Sequence, residues 1–425
     1  MMKTKNAMKL AVVPLLWAAA LIAADWPQYR GPNQNGISSE KLPLKTWPSS
    51  GLPELWKSPT PKGFSSFSVS DGSVFTIVAR DVGGTNREVC VALDAATGKE
   101  RWAVAMCPAK YSGGGDSGGG GDGPRSTPTV SDGKVYVYDS QLWFLCLDEQ
   151  DGRIVWSRDI SKEFAGRNIS WQNAVSPVVD GNLVFIPGGG TDQSLLAFNK
   201  QSGELVWKSH DDKMTHATPV ITTLAGVRQI IFFMQKGLVS VETATGKALW
   251  NYPFKYVTST AASPVVCGDL VYCSAGYGVG AGLVRIARKG GDFTATEVWR
   301  KEANLVNHWS TPVFKDGYLY GIFGFKEYNR AALKCFELQS GKEVWSKEGY
   351  GPGNVILVED YLVALGDRGQ LTLVKAVPEA YTEVSRVQAV GGKCWSTPAY
   401  AGGRLYVRST TEGVCLDLTQ RQASK

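Results

Sequence analysis

Several absences narrow the field before any motif is read. No run of five like charges occurs in the 425 residues, and 45 Lys and Arg against 39 Asp and Glu leave a net charge of only +6. A chain without a basic stripe lacks the electrostatic footprint of a nucleic-acid binder, so nucleic acid is not expected as a partner. Beyond the first two dozen residues no segment is apolar enough to span a bilayer. No Gly-x-Ser-x-Gly elbow and no Ser/His/Asp order supports a hydrolase. Histidine is nearly missing, with three in the chain.

The N-terminus reads as an export signal. Lys3, Lys5 and Lys9 precede an apolar stretch from Leu10 to Ile22, and Ala23 and Ala24 supply small residues before Asp25. That stretch is too short and wrongly flanked for a spanning helix. Cleavage is expected before Asp25, giving a signal peptide at 1–24, an N-terminal extension at 25–52 and one repeat domain at 53–425. The residue after the cut is Asp25, not Cys, so no lipid anchor is indicated. The mature chain is expected in the periplasm or secreted, as a monomer.

What is plentiful is Gly, at 48, and Trp, at 14. Many turns and many large aromatics suggest repeated short strands. Tryptophans fall at 56, 102, 156, 207, 250, 299 and 345, and most end the same phrase. Leu93 to Trp102 is one copy, with Thr97-Gly98 at its centre. Phe198 to Trp207, Glu242 to Trp250, Glu337 to Trp345 and Asp148 to Trp156 are others. A second phrase precedes each copy: Ser126-Thr127-Pro128 leads to Asp132-Gly133, Ser310-Thr311-Pro312 to Asp316-Gly317, and Ser396-Thr397-Pro398 to Gly402-Gly403. Each unit reads as four short antiparallel strands. Proline suits the first residue of a strand, and Asp-Gly suits a tight hairpin. The tryptophan is a large apolar plate that packs between neighbouring sheets.

Eight units follow, beginning near Ser65, Ser126, Ser176, Thr218, Ser263, Ser310, Gly353 and Ser396. The fifth lacks the Thr-Gly turn, and the seventh has neither turn phrase nor tryptophan. The eighth stops before its tryptophan strand, whereas Glu54-Leu55-Trp56 is such a strand with no unit before it. The expected fold is therefore all-β: an eight-bladed β-propeller of four-stranded antiparallel blades, closed by an N-terminal strand that leaves no open sheet edge. Of eight cysteines, Cys146, Cys335 and Cys415 occupy one repeated slot that holds Ala92 and Ala197 elsewhere. They read as small buried hydrophobes rather than disulfide partners. Cys107, Cys267, Cys273 and Cys394 have no such explanation.

These units resemble the tryptophan-docking repeats of pyrroloquinoline-quinone (PQQ) dehydrogenases. Length and layout are closer to the bacterial PQQ-like repeat proteins, which include the propeller lipoprotein of the outer-membrane barrel-assembly machinery. The opening Asp25-Trp26-Pro27-Gln28-Tyr29-Arg30-Gly31-Pro32 is similar to that of many exported members. The resemblance implies fold more than activity. Its dehydrogenases bind PQQ between a vicinal cysteine pair and a tryptophan, beside calcium. No vicinal cysteine pair and no Cys-x-x-Cys-His haem site occur here.

Strand counting places the Asp-Gly and Thr-Gly turns on one face of the disc, here the bottom. The irregular loops lie on the other, the top, where a rigid scaffold usually carries its binding residues. Residues just before the innermost strands are expected to converge on the top mouth of the central channel. They are Arg125, Trp171, Gln172, Asn173, His216, Asn307, His308, Trp309, Lys393 and Trp395. Aromatics, cations and amides together suit a polar or anionic ligand, a sugar or a peptide. No metal is expected at His216 and His308, which belong to non-neighbouring blades and lack further ligands at suitable spacing. The run from Ser112 to Gly123 has no following Gly-Lys-Ser/Thr and no full calcium-loop pattern, and reads as a flexible loop. The leading expectation is a non-catalytic binding or scaffold protein of the bacterial envelope without a cofactor. Its partner would be an envelope protein, a peptide or a polysaccharide segment. The alternative is a PQQ-dependent alcohol dehydrogenase-like quinoprotein with a degenerate site, using PQQ and calcium. A propeller lyase or glycosidase would need paired carboxylates at the mouth, where cations and aromatics stand instead.

Overall fold

The computed structural model describes residues 25–111, 122–302, 305–324 and 331–419. The signal peptide assigned to 1–24 and most of the glycine-rich run after Tyr111 lie outside them. Eight sheets form, and in all but the seventh and eighth the strands follow chain order, antiparallel, from the innermost outward. In the first blade these are Ser68–Ser70, Ser73–Val82, Thr85–Asp94 and Glu100–Pro108. The eighth has Ala399–Ala401, Arg404–Arg408 and Glu412–Asp417, with Glu54–Pro59 as its outermost strand. Trp56 pairs with Cys415, so strands from both ends of the repeat domain close the ring as the sequence indicates. The one helix among the described residues is the single turn Ile160–Glu163.

The repeated phrases act between blades as well as within them. Asp71 and Gly72 take φ of 42° and 71°, Asp132 and Gly133 of 51° and 72°, the left-handed pair that a two-residue hairpin requires. The Thr-Gly turn does more than reverse the chain. A Cβ on Gly98 would lie 2.6 Å from Trp56 Cδ2, and one on Gly203 2.5 Å from Trp156 Cδ2. Each glycine is thus the seat on which the previous blade's tryptophan rests. The indole N–H then donates to a turn carbonyl of that next blade: Trp56 to Ala95 at 3.0 Å, Trp102 to Glu149 at 3.0 Å, Trp156 to Lys200 at 3.1 Å and Trp207 to Thr243 at 2.8 Å. Trp250 faces the fifth blade, which has no such turn. Its indole N–H bonds Gln229 of its own blade instead, at 2.7 Å.

Near the axis a second set of links appears. The N–H of Ser66 donates to Thr127 Oγ1, that of Thr127 to Ser176 Oγ, and that of Ser176 to Thr218 Oγ1, at 2.9 to 3.0 Å. Ser263 donates to Thr311, and Thr397 to Ser66 across the closing seam. The hydroxyl two residues before the innermost strand therefore receives the preceding blade's backbone N–H. The seventh blade carries Asn354 at the matching position, which has no hydroxyl and donates its amide to the Trp395 carbonyl at 2.7 Å instead, and the belt is interrupted there. All eight cysteines are buried and free. Cys146, Cys335 and Cys415 each pair across the strands with a tryptophan, as do Ala92 and Ala197. The slot is small because the partner is large.

The extension is a strap across the bottom face. Trp26 pairs with Val69 of the first blade, and Pro27 accepts from Val130 of the second. Arg30 donates to Thr311 and Pro312 of the sixth, and Gln34 accepts from Ile221 of the fourth. The second and sixth blades are opposite one another, so the turns between Gln28 and Gly36 span the channel. Ile37–Ser38 then adds a parallel fifth strand to the seventh blade, beside Asn354–Val358, where only four strands were expected.

Further along, the strap repairs the seventh blade. Ser385 stands where the other blades carry tryptophan, opposite Leu373 beside the usual register shift. Its hydroxyl accepts from the N–H of Trp47, and Leu418, whose carbonyl is the expected indole acceptor, accepts from Leu44. Trp47 is 6% exposed, like Trp56 and Trp250, in one apolar cluster with Leu42, Leu44, Val387 and Leu418. A tryptophan from the strap thus closes the junction that the seventh blade cannot. Trp47→Ala is expected to lower the unfolding free energy by about 3 kcal/mol, comparably to Trp102→Ala, in parallel denaturant titrations. A loss below about 1 kcal/mol would show that the seat does not need filling.

Candidate functional site

Counting back from each innermost strand, one register position faces the top mouth. It holds Phe64, Arg125, Ala174, His216, Ala261, Trp309, Pro352 and Trp395 in blades one to eight. Pro352 and His216 are buried, and the third and fifth blades have only a methyl group there. The bulky, partly exposed side chains therefore form an arc on blades six, eight, one and two, and the mouth is low on blades three to five.

The arc is continuous. Trp309 and Trp395 stack at 4.3 Å between centroids, and Trp395 meets Phe64 at 4.7 Å. These two tryptophans come from blades separated by the seventh, whose Pro352-Gly353 leaves the gap they fill. Trp309 donates its indole N–H to Pro352 at 3.1 Å. His308 lies edge-on to Trp309 at 5.0 Å and to Tyr277 at 5.2 Å. The cations cover ring faces: Lys393 Nζ is 4.7 Å from the Trp395 ring, and the Arg125 guanidinium is 5.8 Å from Phe64 and 5.4 Å from Tyr111. Arg125 also pairs with Asp122 and donates to the carbonyl of Trp171 at 2.7 Å.

Asn173, Asn307 and His216 sit lower and hold the loops. The Asn173 amide reaches the carbonyls of Tyr138, Asp139 and Val175. Asn307 bonds Tyr272, Ser274 and Ile322. His216, 5% exposed, places Nε2 2.9 Å from the Ser170 carbonyl and Nδ1 2.8 Å from Ser259 Oγ. That arrangement fixes the neutral tautomer with its proton on Nε2. It also supports Trp171 and Gln172, whose φ of 65° and 60° are unusual for residues with side chains. The Trp171 ring lies edge-on to His216 at 6.3 Å. With both nitrogens engaged, His216 is not a ready metal ligand.

Sequence reasoning missed four features. Phe64 shares the register position of Arg125 and Trp395, so the signal was there. Tyr277 lies in a loop with no repeat phrase. Asp367, 4% exposed beneath Lys393, has Oδ2 without a hydrogen-bond partner, and burial pushes its carboxyl up to about 6. Finally, Glu88, Cys107 and Asp139 converge between the first two blades. No spacing motif connects these three.

Burial pushes the His216 imidazole down to about 4 from its ordinary 6.5, helped by the nearby Arg125 charge. Between those values the unfolded chain binds a proton that the folded chain refuses. The stability from neutral His216 is therefore full above about pH 6.5 and is lost as pH falls toward about 4, by about 3 kcal/mol in total. Denaturant titrations across this window are expected to show that extra slope in the native chain and not in His216→Gln.

A family model described as outer membrane protein assembly factor BamB matches residues 85–347, more than half of the chain. The curated BamB of Shewanella oneidensis is 25% identical over 237 residues, which is 53% of this chain and 57% of that protein. The chain thus spans less than two thirds of that relative. Among solved structures, BamB from Moraxella catarrhalis superposes with a TM-score of 0.60 at 14% identity, covering 88% of this chain and 99% of that one. The quinohemoprotein alcohol dehydrogenase from Comamonas testosteroni gives 0.65 at 14% identity, covering 95% and 82%. At such identity these two show the fold alone. The quinone of the second kind of protein does not fit the mouth described above. A planar ring sandwiched between two others needs them about 7 Å apart, twice the ordinary contact distance, whereas Trp309 and Trp395 already touch and Trp171 is backed by His216. On the repeat, the eight blades and the family match together, the chain belongs to the PQQ-like propeller family of the outer membrane protein assembly factor BamB.

Proposed function

We propose that this chain is an exported, non-catalytic propeller of the bacterial envelope that holds a partner protein at its top face. Residues 1–24 direct export and are removed, 25–52 serve as the strap, and 53–425 form the binding scaffold. The mature protein works in the periplasm as a monomer, without PQQ. Its relatives are described as factors of outer membrane protein assembly, and the same role is proposed here.

The observation that carries this reading is the aromatic arc with its two stacked cations. Trp395, Trp309, Phe64 and Tyr277 are partly exposed rings with fixed neighbours, so ordering them on binding costs little side-chain entropy. Aromatics and Arg are the side chains that dominate protein interfaces. Lys393 and Arg125 add positive charge at the rim, which favours an acidic or carbonyl-rich segment. The low side at blades three to five leaves room for an extended chain to enter beside the arc.

Mild crosslinking of the full-length protein in its native envelope is expected to capture an envelope protein. Replacing Lys393 and Arg125 by Glu, or Trp395 by Ala, is expected to weaken that capture at least about tenfold, the effect of removing one interface anchor. The thermal transition of the charge-reversed variant should stay close to that of the native chain. Undiminished capture by all these variants would place the partner elsewhere on the disc. Oxidation of an alcohol by the purified protein with added PQQ and calcium would overturn the non-catalytic reading.

A further inference from the structure

Three donor groups meet in the dry seam between the first and second blades, beneath the end of the arc where Arg125 covers Tyr111. Glu88 lies in the strand Thr85–Asp94, Cys107 in Glu100–Pro108, and Asp139 just after Lys134–Tyr138 of the next blade. One carboxylate oxygen of each acid and the Cys107 sulfur all lie within 4.8 Å of one another. Their exposures are 0%, 7% and 1%.

Their outer faces are held by hydrogen bonds that leave the inner faces clear. Glu88 accepts from the Tyr111 phenol at 2.5 Å through one oxygen, and from the Ser140 N–H at 3.0 Å through the other. Asp139 Oδ1 accepts from the N–H groups of Gln141 and Trp143, each at 2.9 Å. Cys107 Sγ is 3.5 Å from Ser140 Oγ. Asp139 Oδ2 is left with no hydrogen-bond partner, although the residue is almost wholly buried. An acceptor in that position costs about 1–3 kcal/mol unless something fills it. No basic side chain belongs to the cluster. Arg125, next to Tyr111, is stacked on that ring and paired with Asp122. Two acids this close and this dry cannot both carry charge without a cation between them.

We propose that Glu88, Cys107 and Asp139 form a structural zinc site clamping the first blade to the second. The donor set selects the ion. A thiolate with two carboxylates suits a borderline-soft divalent metal, whereas calcium and magnesium call for oxygen ligands alone. Structural zinc takes four ligands, and the remaining place falls to a hydroxyl of the same cluster, Tyr111 or Ser140. The hydrogen bonds to the outer carboxylate oxygens are the supporting shell such a site needs to fix its ligands. On binding, the Cys107 thiol gives up its proton to solvent as the zinc–sulfur bond forms, and any proton held by the acids leaves with it. The metal's two positive charges then offset two of the three negative ones, and the hydrogen bonds from Tyr111, Ser140, Gln141 and Trp143 to the carboxylates stabilise the remaining charge. Zinc changes no oxidation state in this step.

The test uses the full chain. Protein produced in zinc-supplemented medium is analysed for metal directly, and a second sample is stripped under denaturing conditions with a chelator and refolded with zinc or cobalt. The expected result is one zinc per chain in the native protein. Asp139→Asn and Cys107→Ser should each lower zinc affinity at least tenfold. The cobalt form should show a thiolate-to-metal absorption band that Cys107→Ser abolishes. Direct metal analysis of the native protein decides the matter if refolding fails, and Cys107→Ser decides it if Asp139→Asn does not fold. Absence of zinc from both the native and the zinc-refolded protein would overturn the proposal. So would equal zinc retention in a folded variant.

Discussion

A four-stranded sheet of this kind has two apolar faces and cannot cover either by itself, so every blade depends on being docked to the next. The docking is chemically specific at two radii. Far from the axis, an indole plate lies on a glycine seat and its N–H finds a carbonyl that would otherwise be buried without a partner. Near the axis, a serine or threonine hydroxyl takes the backbone N–H of the preceding blade. One set positions the outer edge and the other the inner edge. Together they fix the angle between sheets more tightly than apolar contact alone, which is non-directional.

Where the repeated code fails, the chain supplies a substitute by another route. Facing the fifth blade, Trp250 turns to Gln229 of its own sheet. At the seventh blade both devices are missing, and three separate segments converge there: Trp47 on the outside, Ile37–Ser38 as an added strand, and the Trp309–Trp395 stack above Pro352. The seam between eighth and first blades is closed in yet another way. Arg408, 1% exposed, donates to Thr76, Ile77, Thr60 and Lys62 on the first side of the seam. Burial lowers its guanidinium toward about 9, yet it stays charged at neutral pH, and these four oxygen acceptors together with the Ser409 carbonyl solvate it in place of water. Arg30 does the same across the channel floor. Carbonyl oxygens, not carboxylates, accept nearly all of these bonds, so neither arginine depends on a second ionised group.

The ring was legible because its signals are local and repeated. Tryptophan, Thr-Gly and Asp-Gly each carry a backbone requirement that can be read without knowing the neighbours, and repetition at similar intervals multiplies the evidence. The closing strand at Trp56 followed from counting. Trp47 was not legible, since it lies in no repeat and meets Ser385 more than three hundred residues away. Arg30 was visible only as part of a resembling phrase, and nothing in that phrase says that it crosses a channel. The candidate site divides in the same way. Arg125, Trp309 and Trp395 follow from register, and Phe64 would have followed from the same register applied to the first blade. Asn173, Asn307 and His216 share the neighbourhood in sequence, but their depth depends on loop paths that no pattern specifies. Glu88, Cys107 and Asp139 come from two blades at unrelated repeat positions, so only packing could bring them together.

The two faces of the disc are consequently under different physical demands. The bottom carries the tryptophan seats and the strap, so a change there acts on blade docking and is felt as stability. The top carries no tryptophan seat, and its loops are held by the hydroxyl belt beneath them and by pegs such as His216, Asn173 and Asn307. That freedom lets the register position above the belt hold rings and cations on one side and bare methyl groups on the other without disturbing the ring. An asymmetric mouth on a nearly symmetric scaffold has a direction. Its open side lies at blades three and five, where the register position holds only methyl groups, while the strap spans the channel below and the stacked tryptophans fill the gap at the seventh blade.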